Sequence, residues 1–268
     1  MTGRIFAVAS GKGGVGKTWL AITLAHALAR MGERVLLFDA DFGLANVDVQ
    51  LGLRPARDLE WVIAGRAGLA ETVLHHCGGF DILAGRSGSG ALAALEPAAL
   101  ERVTAMLAQA REQYDVVLLD LGAGLDRAVR RLAVVADRLL VVATDEPTSL
   151  TDAYAVLKLH AADGGGAAWV VVNQAASRAA GERTFATLAR ACSSFLGRAP
   201  GRAGVIRRDP HVADAIRRQT LLLIRHPSTA AAVDVEAIAA EMLAPKLVAQ
   251  TMPAQATLAQ TALLRPRA

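Results

Sequence analysis

The sequence has few cysteines, few aromatic residues and no long uninterrupted apolar run. Its two cysteines, Cys77 and Cys192, stand far apart and form no Cys-x-x-Cys pair, so we expect two idle thiols in a reducing cytosol. Aromatic residues make up only 4% of the chain, which argues against a lectin-like binding surface. No apolar run reaches the roughly 18 residues that a membrane-spanning helix needs. No signal peptide precedes the apolar segment 5–9, and we therefore expect a cytoplasmic protein.

Apolar residues are abundant, and the charges nearly balance. Apolar residues account for 53% of the 268 residues and the mean hydropathy is +0.33, which excludes an intrinsically disordered chain. This content consists mainly of Ala, Leu and Val, which suits helices packed on a buried sheet. The formal net charge of +4 is compatible with an acidic ligand, an anionic lipid or a nucleic acid, and it selects none of them.

Apolar segments of strand length alternate with segments of helical spacing along the chain. The strands are apolar on both faces, which is typical of strands covered by helices on both sides. The alternation predicts an α/β fold with a doubly wound, mostly parallel sheet, whose ligands bind at the carboxyl ends of the strands. We predict strands at 5–9, 35–39, 81–83, 116–120, 139–144, 169–173 and 203–206, and helices at 17–31, 97–113, 127–136, 150–160, 183–196, 212–218 and 230–243.

A change in composition divides the chain near residue 244. Residues 1–244 contain every predicted strand and helix, and we expect them to form one domain. Residues 245–268 are rich in Ala, Gln and Thr and are interrupted by Pro245, Pro253 and Pro266. We therefore expect this tail to leave the compact domain.

Segment 11–18, GKGGVGKT, matches the phosphate-binding P-loop pattern and stands between a predicted strand and a predicted helix. Glycines let backbone N–H groups surround a phosphate, and the N-terminus of the following helix adds a favourable dipole. Lys17 would reach the β- and γ-phosphates of a nucleoside triphosphate, and the Thr18 hydroxyl would bind Mg²⁺. The chain has four lysines, and two of them fall inside this loop, which argues against a chance match. We expect the nucleotide to be held by Gly13, Gly14, Val15, Gly16, Lys17 and Thr18.

Two further predicted strands end in carboxylates. Segment 117–120, VLLD, ends at Asp120, which we assign to the Mg²⁺ shell. Segment 37–41, LFDAD, places Asp39 and Asp41 two residues apart at a strand end, where both side chains point the same way. We assign Asp39 to the support of Mg²⁺ and Asp41 to the orientation of the water that attacks the phosphate. Alternatively, Asp39 or Asp41 could simply cap the turn that follows.

Segment 12–18, KGGVGKT, resembles the deviant Walker A loop of the MinD/ParA ATPases, which is marked by an additional lysine, here Lys12. The resemblance extends over residues 3–244 and implies a P-loop NTPase fold of the SIMIBI type that binds ATP and Mg²⁺. It also implies an ATP-dependent homodimer in which Lys12 reaches the ATP of the partner subunit and activates hydrolysis. By the same resemblance, Asn173 of the segment VVVNQ would contact adenine, and Arg208 and Asp209 of the segment IRRD would contact adenosine.

Segments 38–48 (FDADFGLANVD) and 146–154 (EPTSLTDAY) are similar to the flagellar-number regulators FlhG and FleN within that family. This resemblance implies a switch that regulates flagellar number and placement. The implied partner is a flagellar regulatory protein, namely an FlhF-like GTPase, a transcription activator or a basal-body protein. Family members end in a basic amphipathic helix that binds membrane, but the only cations of this tail are Lys246, Arg265 and Arg267. Reversible membrane association, partner binding and a disordered or core-packed tail are therefore open alternatives.

Related functions use the same loop. A ParA-like DNA partition ATPase needs a patch for DNA phosphates, which here would comprise Arg207, Arg208, Arg217, Arg218 and Arg225. A MinD-like ATPase would position the division site instead. The related iron–sulfur proteins need cysteines near the second switch loop, and the chain has none between residues 77 and 192. We favour the flagellar switch and do not expect DNA to be a partner.

Overall fold

The computed structural model describes residues 3–85 and 97–244. Within them, an eight-stranded sheet carries helices on both faces. The strands are β1 (Arg4–Ser10), β2 (Val35–Ala40), β3 (Leu74–His75), β4 (Asp81–Leu83), β5 (Val116–Ala123), β6 (Arg138–Ala143), β7 (Ala167–Ala175) and β8 (Gly201–Arg207). The helices are α1 (Lys17–Arg30), α2 (Val47–Leu51), α3 (Leu59–Ile63), α4 (Leu69–Thr72), α5 (Pro97–Gln113), α6 (Arg127–Val135), α7 (Pro147–Ala162), α8 (Arg178–Leu196), α9 (Pro210–Arg217), α10 (Leu222–Arg225) and α11 (Ala230–Leu243).

The strand order is β3-β4-β2-β5-β1-β6-β7-β8, and every neighbouring pair is parallel except β3 and β4. Strand β5 lies between β1 and β2, so its register brings Asp120 beside Asp39 on one side and Val8 on the other. The loops that follow parallel strands meet at the carboxyl edge of the sheet. This edge therefore collects the P-loop and both of these aspartates.

Each face of the sheet has its own apolar core. In β1, Phe6 and Val8 face a core shared with α1 and α11, whereas Ile5, Ala7 and Ala9 face a core shared with α5, α6, α7 and α8. Because helices cover both faces, the central strands have no polar face to show in the sequence. The α/β class with a mostly parallel, doubly wound sheet is thus confirmed.

The predicted elements all occur, and segments 81–83, 97–113 and 230–243 have the predicted bounds. Helix α8 begins earlier than predicted, because the Ser177 hydroxyl accepts a hydrogen bond from the Ala180 N–H and caps the helix at that point. Strand β3 and helices α2, α3, α4 and α10 were not predicted. Each has five residues or fewer, which is too short to show a helical or strand periodicity.

The predicted tail, residues 245–268, lies outside the described residues, as does the segment 86–96. In the parts of the chain that the structure describes, no helix has the length and apolar character needed to span a bilayer. The two cysteines are unbridged, with Cys77 exposed and Cys192 buried.

Candidate nucleotide-binding site

The P-loop connects β1 to α1 at the carboxyl edge of the sheet. The Ser10 hydroxyl donates a hydrogen bond of 2.7 Å to the Lys12 carbonyl and closes the start of the loop. Gly16 has φ +91°, a left-handed conformation that favours glycine, and it stands at the N-cap of α1, where no side chain caps the helix. The first N–H groups of α1 are therefore left for a ligand with negative charge. Lys17 and Thr18 follow directly and are buried.

Asp39 organises the loop that follows β2. Its Oδ1 accepts a hydrogen bond of 3.2 Å from the Asp41 N–H, and its Oδ2 accepts bonds of 3.0 Å from the N–H groups of Asn46 and Val47. These contacts draw the loop onto the end of the strand and begin α2. The sequence assigned Asp39 to Mg²⁺ support or to a turn cap, and the structure shows the capping contacts directly.

Asp120 lies beside Asp39 and is fully buried. Within the described residues, neither of its carboxylate oxygens has a hydrogen-bond partner. Burial raises the pKa of Asp120, whereas the charge of Lys17 and the nearby Thr18 hydroxyl act in the opposite direction. Burial and the charge of Asp120 likewise raise the pKa of Asp39, against the three backbone N–H groups that bind it. A cation beside two neighbouring buried carboxylates favours their ionised forms, as Lys17 does for Asp120.

These side chains fit a Mg²⁺ ion that also binds a nucleotide. Mg²⁺ prefers oxygen ligands and is usually held by one or two carboxylates together with phosphates of the substrate. Thr18 supplies a hydroxyl, and Asp120 supplies two buried oxygens without a partner among the described residues. Over residues 3–85 and 97–244, no group of three or more His, Cys, Asp or Glu side chains could hold a metal by itself. The site thus fits an ion whose coordination is completed by phosphate and water.

Asp41 stands at the rim, in front of the end of β5. Its Oδ1 accepts hydrogen bonds from the N–H groups of Gly43 (3.3 Å) and Leu44 (3.0 Å). A β carbon added at Gly122 would lie 3.2 Å from the same oxygen, so β5 passes close to this carboxylate. The charge of Asp41 also contributes to the raised pKa of Asp120. The structure therefore brings both predicted carboxylate segments together.

Lys12 has different surroundings from Lys17. Its side chain is 38% exposed, and its ammonium group forms an ion pair with Glu146 and a hydrogen bond of 3.2 Å to the Thr148 hydroxyl. The hydrogen bond and charge of Lys12 lower the pKa of Glu146, and the charge of Arg208 adds to this effect. Sequence reasoning missed the role of Glu146. The available signal was its place just before Pro147, because a proline at the first position of a helix makes the preceding residue the N-cap.

Asn173 lies near the end of β7 and is buried against the P-loop. Its Nδ2 donates a hydrogen bond of 2.8 Å to the Val15 carbonyl, and its Oδ1 accepts one of 2.9 Å from the Gln174 N–H. The predicted adenine-binding residue thus reaches the phosphate loop itself.

Arg208 and Asp209 follow β8 at the same edge of the sheet. The Asp209 carboxylate accepts hydrogen bonds from the N–H groups of His211 (3.0 Å) and Ala231 (3.2 Å), and it thereby caps α9. The Arg208 side chain is exposed, and its N–H donates to the Ala175 carbonyl at 2.8 Å. Their predicted contact with adenosine stays a prediction.

The arginines considered for DNA binding are partly neutralised by carboxylates. Arg207 pairs with buried Asp234, and both Arg218 and Arg225 pair with Asp214. Because Asp214 and Asp234 offset part of this charge, the segment offers less positive charge to DNA phosphates than a count of its arginines suggests.

Comparison with known proteins agrees with the site. Residues 6–222 match the family described as the CobQ/CobB/MinD/ParA nucleotide binding domain. The chain is 39% identical to the antiactivator FleN of Pseudomonas aeruginosa over 237 residues, which covers 88% of this chain and 85% of that protein. It is 32% identical over 157 residues to the flagellum site-determining protein YlxH of Helicobacter pylori, a match to 59% of this chain and 53% of that protein.

The fold also has a close counterpart among solved structures. The septum site-determining protein MinD of Pyrococcus horikoshii, complexed with Mg-ADP, superposes with a TM-score of 0.75 at 22% identity. The superposition covers 89% of this chain and 95% of that one. The chain therefore belongs to the CobQ/CobB/MinD/ParA family of nucleotide-binding domains, with the fold of the MinD-like P-loop ATPases.

Proposed function

We propose that this protein is an ATP-driven dimerisation switch that hydrolyses ATP to ADP and phosphate and regulates flagellar number and placement. The P-loop and the adjoining Asp39 and Asp120 support the ATPase part. The similarity to FleN over most of both chains supports the flagellar part. The partner would be a flagellar regulatory protein of the kinds that the sequence implies.

The position of Lys12 is the observation that carries the dimer. Lys17 is buried in the loop, whereas Lys12 is half-exposed at its mouth and turns towards α7. An exposed ion pair contributes only about 0–1 kcal/mol. The multiple negative charges of a facing ATP can therefore replace Glu146 as the partner of Lys12. A single chain uses Lys17 for its own phosphates and keeps Lys12 for the second copy.

Each residue then has one task. The backbone of residues 13–18 and the Lys17 ammonium would bind the phosphates, and Thr18, Asp39 and Asp120 would hold Mg²⁺. The ion, when bound, neutralises charge on the β- and γ-phosphates. The Asp41 carboxylate orients the attacking water, and Lys12 of the partner stabilises the charge that develops on the transferred phosphoryl group. Hydrolysis removes the γ-phosphate that Lys12 binds, so the dimer separates.

The cellular role is tested by electron microscopy of cells that lack the gene. We expect a changed number or position of flagella, restored by the wild-type gene and not by the Lys12→Ala variant. Normal flagella together with misplaced septa would favour division-site positioning. Normal flagella together with loss of plasmids or chromosomes would favour DNA partition.

A further inference from the structure

We infer that Asn173 positions the phosphate loop and thereby contributes to phosphate binding, beyond any contact it makes with the base. The inference rests on the proposed nucleotide site and names a new role for one residue of it. Asn173 stands 158 positions away from Val15 in the sequence, yet its amide is bonded to the Val15 carbonyl. The side chain is 4% exposed, so water does not compete for this bond.

The orientation of the Asn173 amide is determined by its neighbours. The Gln174 N–H lies 2.9 Å from one end of the amide and needs an acceptor, which fixes that end as Oδ1. The other end is then Nδ2, a donor, and it faces the Val15 carbonyl oxygen at 2.8 Å. Gln174 itself has φ +57°, which is uncommon for a residue other than glycine. The irregular end of β7, where the register with β8 shifts between Val172 and Ala175, therefore holds this amide in place.

The contact acts on the part of the loop that faces phosphate. In a planar trans peptide, the C=O and N–H groups point in opposite directions. Because Asn173 holds the Val15 carbonyl, the Gly16 N–H of the same peptide is turned away from Asn173. A β carbon at Gly16 would lie 2.5 Å from Nδ2, so the amide also packs directly on the loop at the start of α1. Asn173 thus aims one of the N–H groups that a P-loop uses for phosphate.

This role is compatible with recognition of adenine. An asparagine amide has two N–H groups and an oxygen with two lone pairs. The contacts to Val15 and Gln174 use one of each, which leaves one donor and one acceptor for a base. The two roles are separated by a ligand that carries the phosphates and no base.

The test compares MgATP with magnesium tripolyphosphate by titration calorimetry of the full chain. For Asn173→Ala we expect tripolyphosphate to bind about 5- to 30-fold more weakly than to the wild type, because a buried hydrogen bond left unmade has an effect of this order. MgATP should weaken by at least the same factor. Unchanged binding of tripolyphosphate together with weakened binding of MgATP would overturn the inference, because Asn173 would then act on the base alone.

Two controls separate positioning from a general loss of stability. Ser149 is another buried residue whose side chain bonds the main chain. Its hydroxyl on α7 accepts a hydrogen bond of 3.0 Å from the N–H of Thr144, which directly follows β6, and Ser149→Ala removes this bond. We expect this variant to melt at a lower temperature and to bind tripolyphosphate as the wild type does. Lys17→Ala should abolish binding of tripolyphosphate and so place it in the P-loop.

A second variant covers the case in which Asn173→Ala does not fold. In Asn173→Ser the hydroxyl is too short to reach the Val15 carbonyl, but a water molecule has room to bond that carbonyl, which favours folding. Because the side chain no longer holds the loop, we expect tripolyphosphate binding to weaken, by less than in Asn173→Ala. Wild-type protein that binds neither MgATP nor tripolyphosphate would contradict the proposed function itself. Wild-type protein that binds both, with variants that lose only MgATP, would contradict this inference alone.

Discussion

At the scale of single residues, two lysines of one loop differ in what surrounds them. Lys17 is buried beside Asp120, and its charge opposes the effect of burial on the pKa of that carboxyl. Lys12 is half-exposed and paired with Glu146, the N-cap residue of α7. A charged side chain at the surface can change its ion-pair partner at little cost in free energy, whereas a buried one cannot. The two lysines are therefore suited to different ligands.

Lys12→Ala should keep ATP binding and lose both hydrolysis and the stable dimer. The loss of a cation supplied in trans reduces the rate by about 10³-fold or more in related NTPases. Single-turnover kinetics measure the loss of hydrolysis, and light scattering on the protein eluting from a size-exclusion column measures the loss of the dimer. Lys158→Ala removes another exposed lysine, on α7, and should behave as the wild type. A normal hydrolysis rate in Lys12→Ala would show that catalysis does not need this lysine.

Asp41→Ala should hold the protein as a dimer in ATP. Without its carboxylate the attacking water loses its orientation, while the phosphate contacts of the P-loop remain. We expect hydrolysis to fall by at least about 100-fold, within the range of general base catalysis. Light scattering in the presence of MgATP would detect the lasting dimer. A monomer under those conditions would assign Asp41 to dimer formation instead of to hydrolysis.

At the scale of secondary-structure elements, a buried carboxylate ties β8, α8 and α11 together. Asp234 of α11 accepts hydrogen bonds from Arg207 at the end of β8 (2.8 Å, Nε) and from Arg178 at the start of α8 (2.9 Å, Nη2). Burial raises the pKa of Asp234, but the bonds and charge of Arg207, with Arg178, outweigh it and hold the pKa below its ordinary value. The end of β8, which leads directly to Arg208 and Asp209, is thereby fixed.

Asp234→Asn should lower the free energy of unfolding by about 2 kcal/mol, because a hydrogen bond to a charged group contributes on that order. The pKa of Asp234 is lowered in the folded protein, so its contribution is complete above the unfolded value of about 3.9 and is lost as the pH falls from there through the lower folded value. Thermal melts of wild type and variant should therefore differ near neutral pH and approach each other progressively as the pH falls below about 4.

The comparison variant for this prediction is Asp214→Asn. Asp214 pairs with Arg218, Arg225 and His226, but at a more exposed position than Asp234. We therefore expect Asp214→Asn to lower the free energy of unfolding by less than Asp234→Asn does. An equal loss in both variants would mean that burial of Asp234 does not strengthen its ion pairs.

At the scale of the whole molecule, the proposed dimer makes activity depend on protein concentration. A chain of 28.0 kDa should sediment at that mass without nucleotide or with ADP, and at twice that mass with MgATP. Because Lys12 must come from a second copy, the rate of ATP hydrolysis per molecule should rise with concentration until the dimer saturates. A constant rate per molecule over a 100-fold dilution series would exclude activation by dimerisation.

The sequence by itself determined the longer elements and the edge of the sheet at which most of the predicted site residues lie. Apolar strands separated by amphipathic helices indicate a parallel sheet, and residues at strand ends must then lie at one edge. For this reason the local pattern alone was enough to place the P-loop, Asp39, Asp41 and Asp120 at one edge, while their roles stay predictions. Each of them is marked by neighbours in the chain, such as glycines or the end of an apolar run.

Only the tertiary structure decided which of these residues touch. Strand β5 lies between β1 and β2, which makes Asp120 the neighbour of Asp39. The same folding brings Glu146 to Lys12 and Asn173 to the Val15 carbonyl, across 134 and 158 positions of sequence. Such contacts depend on strand order and on side-chain packing between distant segments. Local periodicity predicts neither the strand order nor this packing, because it indicates only which face of each element is buried.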